Sequence, residues 1–223
     1  FFVETDSGKE YLTDSVILAT GAQANWLGLE NEEKYKGFGV SACATCDGFF
    51  YKDKIVAVIG GGNMAVEEAL FLTKFASKVY LIHRRDALRA EKILQKRLFE
   101  NKKVEIIWNK QVTDVLGEDN PLGVTGIQIK DKLSNELSKV DCSGVFVAIG
   151  HSPSSNLIKD QLETFDSGYV STVPGTTKTS IPGVFAAGDL VDNVYRQAVT
   201  SAAMGCMAAL DAEKYLSEIN NGN

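Results

Sequence analysis

The chain has 223 residues, 44 % of them hydrophobic and 23 % charged, with a formal net charge of −6. That is room for one large domain or two modest ones, and the acidic balance argues against a general affinity for nucleic acid or anionic membrane. No uninterrupted apolar run approaches the ~18 residues of a membrane span, four cysteines are too few for a disulfide scaffold, and no signal peptide is visible, so a cytoplasmic location is expected.

In chain order, Phe2 to Asp14 reads as a polar hairpin, and Val16-Ile17-Leu18-Ala19-Thr20-Gly21 as a buried strand ending in a glycine turn. Ile55 to Ile59 is a β-branched strand, followed by Gly60-Gly61-Gly62-Asn63-Met64-Ala65. Ala65, Val66, Ala69, Leu70, Leu72 and Phe75 then recur at helical spacing. Val79 to Ile82 is the next strand, and Asp86 can cap a helix running to about Glu100 with Leu88, Ile93, Leu94 and Leu98 as its apolar side. Strands follow near 104–108, 112–116 and 124–129. Ile127 to Cys142 is again hairpin-like, and Val145-Phe146-Val147-Ala148-Ile149-Gly150 repeats the first strand-and-glycine pattern. Val184-Phe185-Ala186-Ala187-Gly188-Asp189 and a helix from about Gln197 to Tyr215 complete the order.

Strands alternating with helices predict a doubly wound α/β sheet. The internal repeat adds a second expectation. In one copy the glycine loop at Gly60 lies well before Gly150; the same offset from Gly21 falls upstream of residue 1. The first copy is therefore expected to begin before Phe1, to be interrupted by the second, and to resume after Gly150. The boundaries read as 1–28 and 154–223 for the split domain and 29–153 for the inserted one.

Three motifs carry chemistry. Gly60-x-Gly62-x-x-Ala65 between a strand and a helix suits a dinucleotide pyrophosphate at a helix N-terminus, against the plainer reading of a ligand-free turn. After the second strand, where an NAD site places an acid, stand His83-Arg84-Arg85, with Arg89 further on. Guanidinium forks favour a 2′-phosphate and hence NADPH, unless this is only a solvated basic turn. Arg85 and Arg89 would share a face if the helix starts between them. Cys43-Ala44-Thr45-Cys46-Asp47-Gly48 can close a small disulfide, with Asp47 able to exchange protons with a thiolate. Half of a zinc site and inert buried cysteines are the alternatives; Cys142 and Cys206 lie far away and read as small core residues. No metal is expected. Gly188-Asp189 with Arg196-Gln197-Ala198 could meet a ribityl or phosphate-proximal group, or be a plain strand–loop–helix. His83 and His151 on their own read as loop or structural histidines.

Together these runs resemble the bacterial-type, low-molecular-weight thioredoxin reductases: Ala19-Thr20-Gly21, the Cys43–Gly48 run, Gly60 to Asn63, Ala65-Val66-Glu67-Glu68-Ala69, His83-Arg84-Arg85, Arg89-Ala90, Gly188-Asp189 and Arg196-Gln197-Ala198, in the family's order. The resemblance implies two Rossmann-like, three-layer domains, the NADPH domain inserted into a split FAD domain through a two-stranded linker, in a homodimer. It implies electrons passing from NADPH through FAD to a Cys43–Cys46 disulfide and on to thioredoxin, with Cys46 nearer the flavin, Cys43 attacking thioredoxin, and Asp47 as acid–base. It implies cofactor contacts at Thr20, Gly21, Ile149, Gly150, Gly188, Asp189, Arg196, Gln197 and Ala198, and at Gly60, Gly61, Gly62, Asn63, Met64, His83, Arg84, Arg85 and Arg89, with Arg84, Arg85 and Arg89 as a 2′-phosphate clamp. The sequence departs from the family at Met64, where a small hydroxyl residue is usual; NADPH binding is expected to survive, weakened. It also lacks the family's N-terminal glycine motif for the FAD pyrophosphate. A non-catalytic NADPH-binding fragment and a flavoprotein reductase serving a peroxiredoxin system are the other readings.

Overall fold

The computed structural model describes residues 1–221. In chain order the elements are β1 (Phe2–Glu4), β2 (Glu10–Leu12), β3 (Val16–Leu18), β4 (Ala22–Ala24), α1 (Glu30–Lys34), β5 (Val40–Ser41), α2 (Ala44–Asp47), β6 (Ile55–Gly60), α3 (Asn63–Leu72), β7 (Lys78–Ile82), α4 (Lys92–Phe99), β8 (Val104–Ile107), β9 (Lys110–Asp119), β10 (Leu122–Asp131), β11 (Leu137–Asp141), β12 (Gly144–Ala148), β13 (His151–Pro153), β14 (Val184–Ala186) and α5 (Ala198–Asn221). The chain divides into two compact units: Ala24–Gly150, and Phe1–Gln23 together with the chain from His151 onward. These limits fall a few residues from those read in the sequence.

The continuous unit is built on a parallel sheet of order β5-β12-β6-β7-β8. Its central strands read as apolar runs because both faces are covered. One face meets α3 and α4 over a core of Val58, Val66, Leu72, Leu81, Leu98 and Phe146. On the other, Tyr35, Val40, Ala57, Val115, Ile127 and Val145 pack together, because β9, β10 and β11 form an antiparallel sheet of their own rather than extending the parallel one. The 112–116 and 124–129 strands of the sequence therefore belong to this separate layer.

Three element boundaries differ from expectation. α3 ends at Leu72, so Phe75 lies beyond it. α5 continues past Tyr215 to Asn221. The helix expected from Asp86 begins only at Lys92, with Glu91 in the capping position. Residues 83–91 are instead spent holding the glycine loop: the Arg89 N–H donates to the Gly61 carbonyl (2.8 Å) and the Glu91 N–H to Asn63 Oδ1 (2.8 Å). A helix started at Asp86 would give up both bonds.

The discontinuous unit has a β1–β2 hairpin, the parallel pair β3–β14, and α5. Leu18, Val170, Val184, Ala186 and Leu190 form one core; Phe185 and Ala187 pack on Ala208 and Ala212 of α5 in another. Cys142 is buried in the continuous unit as expected, but Cys206 is exposed on α5, because that helix buries only Ala208 and Ala212.

Candidate active site

The first site is a cleft of about 630 Å³ in the continuous unit, at the C-terminal ends of β6, β7 and β12. In open parallel sheets this is where ligands lie, and the volume is ordinary for a cofactor. Gly60, Gly61, Gly62, Asn63 and Met64 line it with His83, Arg84, Arg89, Ile149 and Gly150. Arg85 does not line it; it is exposed and its carbonyl accepts the Asn109 N–H (3.2 Å). With no helix between Arg85 and Arg89, the two do not form the shared face expected of them.

Packing explains the first two glycines. A Cβ on Gly60 would stand 2.4 Å from the Ala148 carbonyl oxygen, and one on Gly61 2.1 Å from the His83 ring, whereas at Gly62 nothing lies within 4 Å. Gly62 therefore leaves open space in front of the α3 N-terminus, whose first turn carries no acidic residue and no side-chain cap. Backbone N–H groups left this way suit a pyrophosphate. His83 is buried, with Nδ1 2.8 Å from the Gly60 carbonyl oxygen and Nε2 3.0 Å from that of Ala87. It braces the loop, in line with the structural role its sequence position suggested.

Glu32 escaped the sequence reading. It is buried, and its carboxylate accepts the N–H groups of Leu27 (2.9 Å), Gly28 (2.8 Å) and Leu29 (3.4 Å). It thereby fixes the segment that brings Asn25, Trp26 and Leu27 to the cleft wall. The one available signal was a glutamate at the third position of a helix.

The second site, in the same unit, is the disulfide joining Cys43 and Cys46. Cys43 caps α2, and its Sγ accepts the Cys46 N–H (3.2 Å). Ser41 Oγ accepts the Cys43 N–H (3.0 Å), tying the turn to β5. Ala44 is buried beneath, and Gly48 lies where a Cβ would be 3.0 Å from the Leu72 side chain of α3. Cys43 is half-buried, Cys46 exposed and Asp47 half-buried. Burial, with the Asp47 charge second, raises the pKa of the neighbouring Tyr51 phenol. Among the described residues no group of three His, Cys, Asp or Glu could hold a metal. By contrast burial pushes the Cys142 thiol up to about 12, which leaves it protonated and inert.

The third site is in the discontinuous unit, where β3 and β14 end side by side at Leu18 and Ala186 and lead on to Thr20-Gly21 and Gly188-Asp189. Gly21 and Gly188 both take positive φ, 74° and 72°. Thr20 is held by its hydroxyl to the Ser154 carbonyl (2.8 Å). Asp189 Oδ1 accepts the Ser201 hydroxyl of α5 (2.7 Å). Asp192, not singled out in the sequence, accepts the N–H groups of Val194, Tyr195 and Arg196 and so shapes the lead into Gln197 and Ala198. Burial pushes its pKa up, but these bonds outweigh it and hold the carboxyl below its usual value. His151 Nδ1 is buried with no hydrogen-bond partner among the described residues. Burial first, then the Arg196 charge, lowers its pKa against the opposing pull of Asp189. An orphaned polar atom within electrostatic reach of Asp189 and Arg196 fits a polar cofactor edge.

Two nucleotide-type folds, one carrying a partly exposed disulfide on the same unit as a cofactor-sized cleft, define the class of pyridine nucleotide-disulphide oxidoreductases, and residues 1–205 match that family. A thioredoxin reductase of Rickettsia conorii is 55 % identical over 218 residues, 98 % of this chain and 70 % of the relative. One from Escherichia coli O157:H7 is 55 % identical over 224 residues, 97 % of this chain and 68 % of its own length. The crystal structure of thioredoxin reductase from Streptococcus pyogenes MGAS5005 superposes with a TM-score of 0.89 at 41 % identity, covering 94 % of this chain and 68 % of that one. The chain belongs to the bacterial-type, low-molecular-weight thioredoxin reductase family. It is an NADPH-dependent flavoprotein disulfide oxidoreductase, and its cofactors are FAD and NADPH.

Proposed function

We propose that the chain reduces the disulfide of thioredoxin, with the continuous unit binding NADPH and presenting the redox pair, and the discontinuous unit holding FAD. The observation that carries this reading is the Cys43–Cys46 disulfide on the same unit as the glycine-loop cleft. In the NADPH site, Gly62 and the α3 N-terminus take the pyrophosphate and Asn63 steadies the loop; Arg84 and Arg89 take the 2′-phosphate, with Arg85 at its outer edge. Ile149 and Gly150 line the far end. Around FAD stand Thr20, Gly21, Gly188, Asp189, Arg196, Gln197 and Ala198. FAD, when bound, supplies a two-electron carrier between a nicotinamide hydride and a disulfide.

The sulfur chemistry belongs to this chain. Two electrons and two protons open the Cys43–Cys46 bond to a dithiol, and Asp47 holds a proton at the sulfur that leaves. The Cys43 thiolate attacks a thioredoxin sulfur, forming a mixed disulfide and releasing one thioredoxin thiol. Cys46 then attacks Cys43, closing the ring and releasing the second thiol. Family membership supports a homodimer in the cytoplasm; no helix among the described residues is long and apolar enough to cross a membrane.

Steady-state reduction of thioredoxin by NADPH, with and without added FAD, tests this reading. We expect turnover that requires FAD and falls to background in Cys43→Ser and in Cys46→Ser. NADPH binding without flavin uptake or turnover would leave only a nucleotide-binding fragment, and turnover of a peroxiredoxin-type partner in preference to thioredoxin would redirect the assignment.

A further inference from the structure

We propose that Lys110 is a specificity-determining residue for the 2′-phosphate of the nicotinamide cofactor, a cation brought to the cleft by strand pairing; the proposal rests on reading that cleft as the NADPH site. The charged residues that line the cleft are Arg84, Arg89 and Lys110, with no Asp or Glu among them. Since Arg85 does not line it, Lys110 takes the place of the third cation that the sequence suggested.

Its position is fixed by the backbone. The Lys110 N–H donates to the His83 carbonyl (3.1 Å), and the His83 N–H to that of Ile107 (3.0 Å). Lys110 therefore starts beside the residue that precedes Arg84. Its side chain is equally constrained. Lys110 pairs in register with Asp131 across β9 and β10, and its ammonium meets Asp131 Oδ2, both side chains being half-buried. The other oxygen of Asp131 accepts the N–H groups of Leu133 (2.6 Å) and Ser134 (2.9 Å). The Lys110 ammonium, then the N–H groups of Ser134 and Leu133, hold the Asp131 pKa down at about 2. The Asp131 carboxylate therefore stays ionised, and the long lysine stem is held where a free one would sample solvent. Asp131 offsets part of the ammonium charge, so Lys110 attracts a phosphate dianion only where the phosphate lies nearer the ammonium than the carboxylate does, and it makes no demand on the rest of the nucleotide.

Calorimetric titration of the full chain with 2′,5′-ADP and with 5′-AMP separates the possibilities, because the two ligands differ only in the 2′-phosphate. Lys110→Met should weaken 2′,5′-ADP about tenfold, leave 5′-AMP unchanged, and be rescued in Lys110→Arg. Equal loss for both ligands would mean that Lys110 only supports the fold and would overturn the proposal. Unchanged 2′,5′-ADP binding in Lys110→Met would also overturn it. Arg84→Ala in parallel tells the two failures apart: if it too leaves 2′,5′-ADP unaffected, the 2′-phosphate is not read in this cleft at all.

Discussion

If the cleft takes NADPH as proposed, Met64 is a side chain that the loop tolerates at a cost in affinity. It lines the cleft yet packs partly against the core beneath α3, so the thioether has somewhere to go and the loop keeps its shape. What it lacks is a hydroxyl for a cofactor phosphate, a bond worth about 0.5–1.5 kcal/mol. Met64→Ser should therefore bind NADPH about two- to tenfold more tightly, read by fluorescence titration; equal affinity would show that no hydroxyl is needed there. The chemistry of the redox run was legible in the residues themselves, since Cys-x-x-Cys closes locally and needs nothing distant. Glu32 and Lys110 were not legible. A buried carboxylate that accepts three N–H groups and a lysine tethered across two strands depend on residues brought together by the fold, and neither leaves a pattern in the chain. Cys206 was misjudged because cysteine as a residue type favours the core, whereas α5 turns that position outward.

At the level of elements, strands and their glycine turns were readable because β6, β7 and β12 are unbroken apolar runs with both faces covered. The start of α4 was not. Asp86 is a good capping residue, but local preference lost to the bonds that residues 83–91 make with the glycine loop. Loop and segment thus behave as one device with the His83 ring wedged in its middle. Gly61→Ala tests this coupling. The added methyl would overlap the ring, which cannot retreat without losing its places against the Gly60 and Ala87 carbonyls. We expect a loss of about 1–3 kcal/mol in urea unfolding together with weaker NADP⁺ binding. Unchanged stability would mean that the ring is free to move.

For the whole molecule, the internal repeat made the nested arrangement visible: one unit is continuous, and the other is built from both sides of it. The β10–β11 hairpin was legible in the polar stretch from Ile127 to Cys142, but that β9 joins it in a sheet separate from the parallel one depends on strand pairing, which the mixed polar and apolar residues of β9 do not specify. The central claim is that electrons from NADPH reach the Cys43–Cys46 pair. The most direct test is anaerobic incubation of the FAD-loaded chain with NADPH, quenching with an alkylating reagent, and mapping of labelled cysteines by mass spectrometry. Exposed Cys206 should be labelled with or without NADPH, and buried Cys142 in neither case. Cys43 and Cys46 should add two further labels only when NADPH is present; a Cys43–Cys46 peptide that remains disulfide-linked after NADPH treatment would mean that electrons from NADPH do not reach the pair.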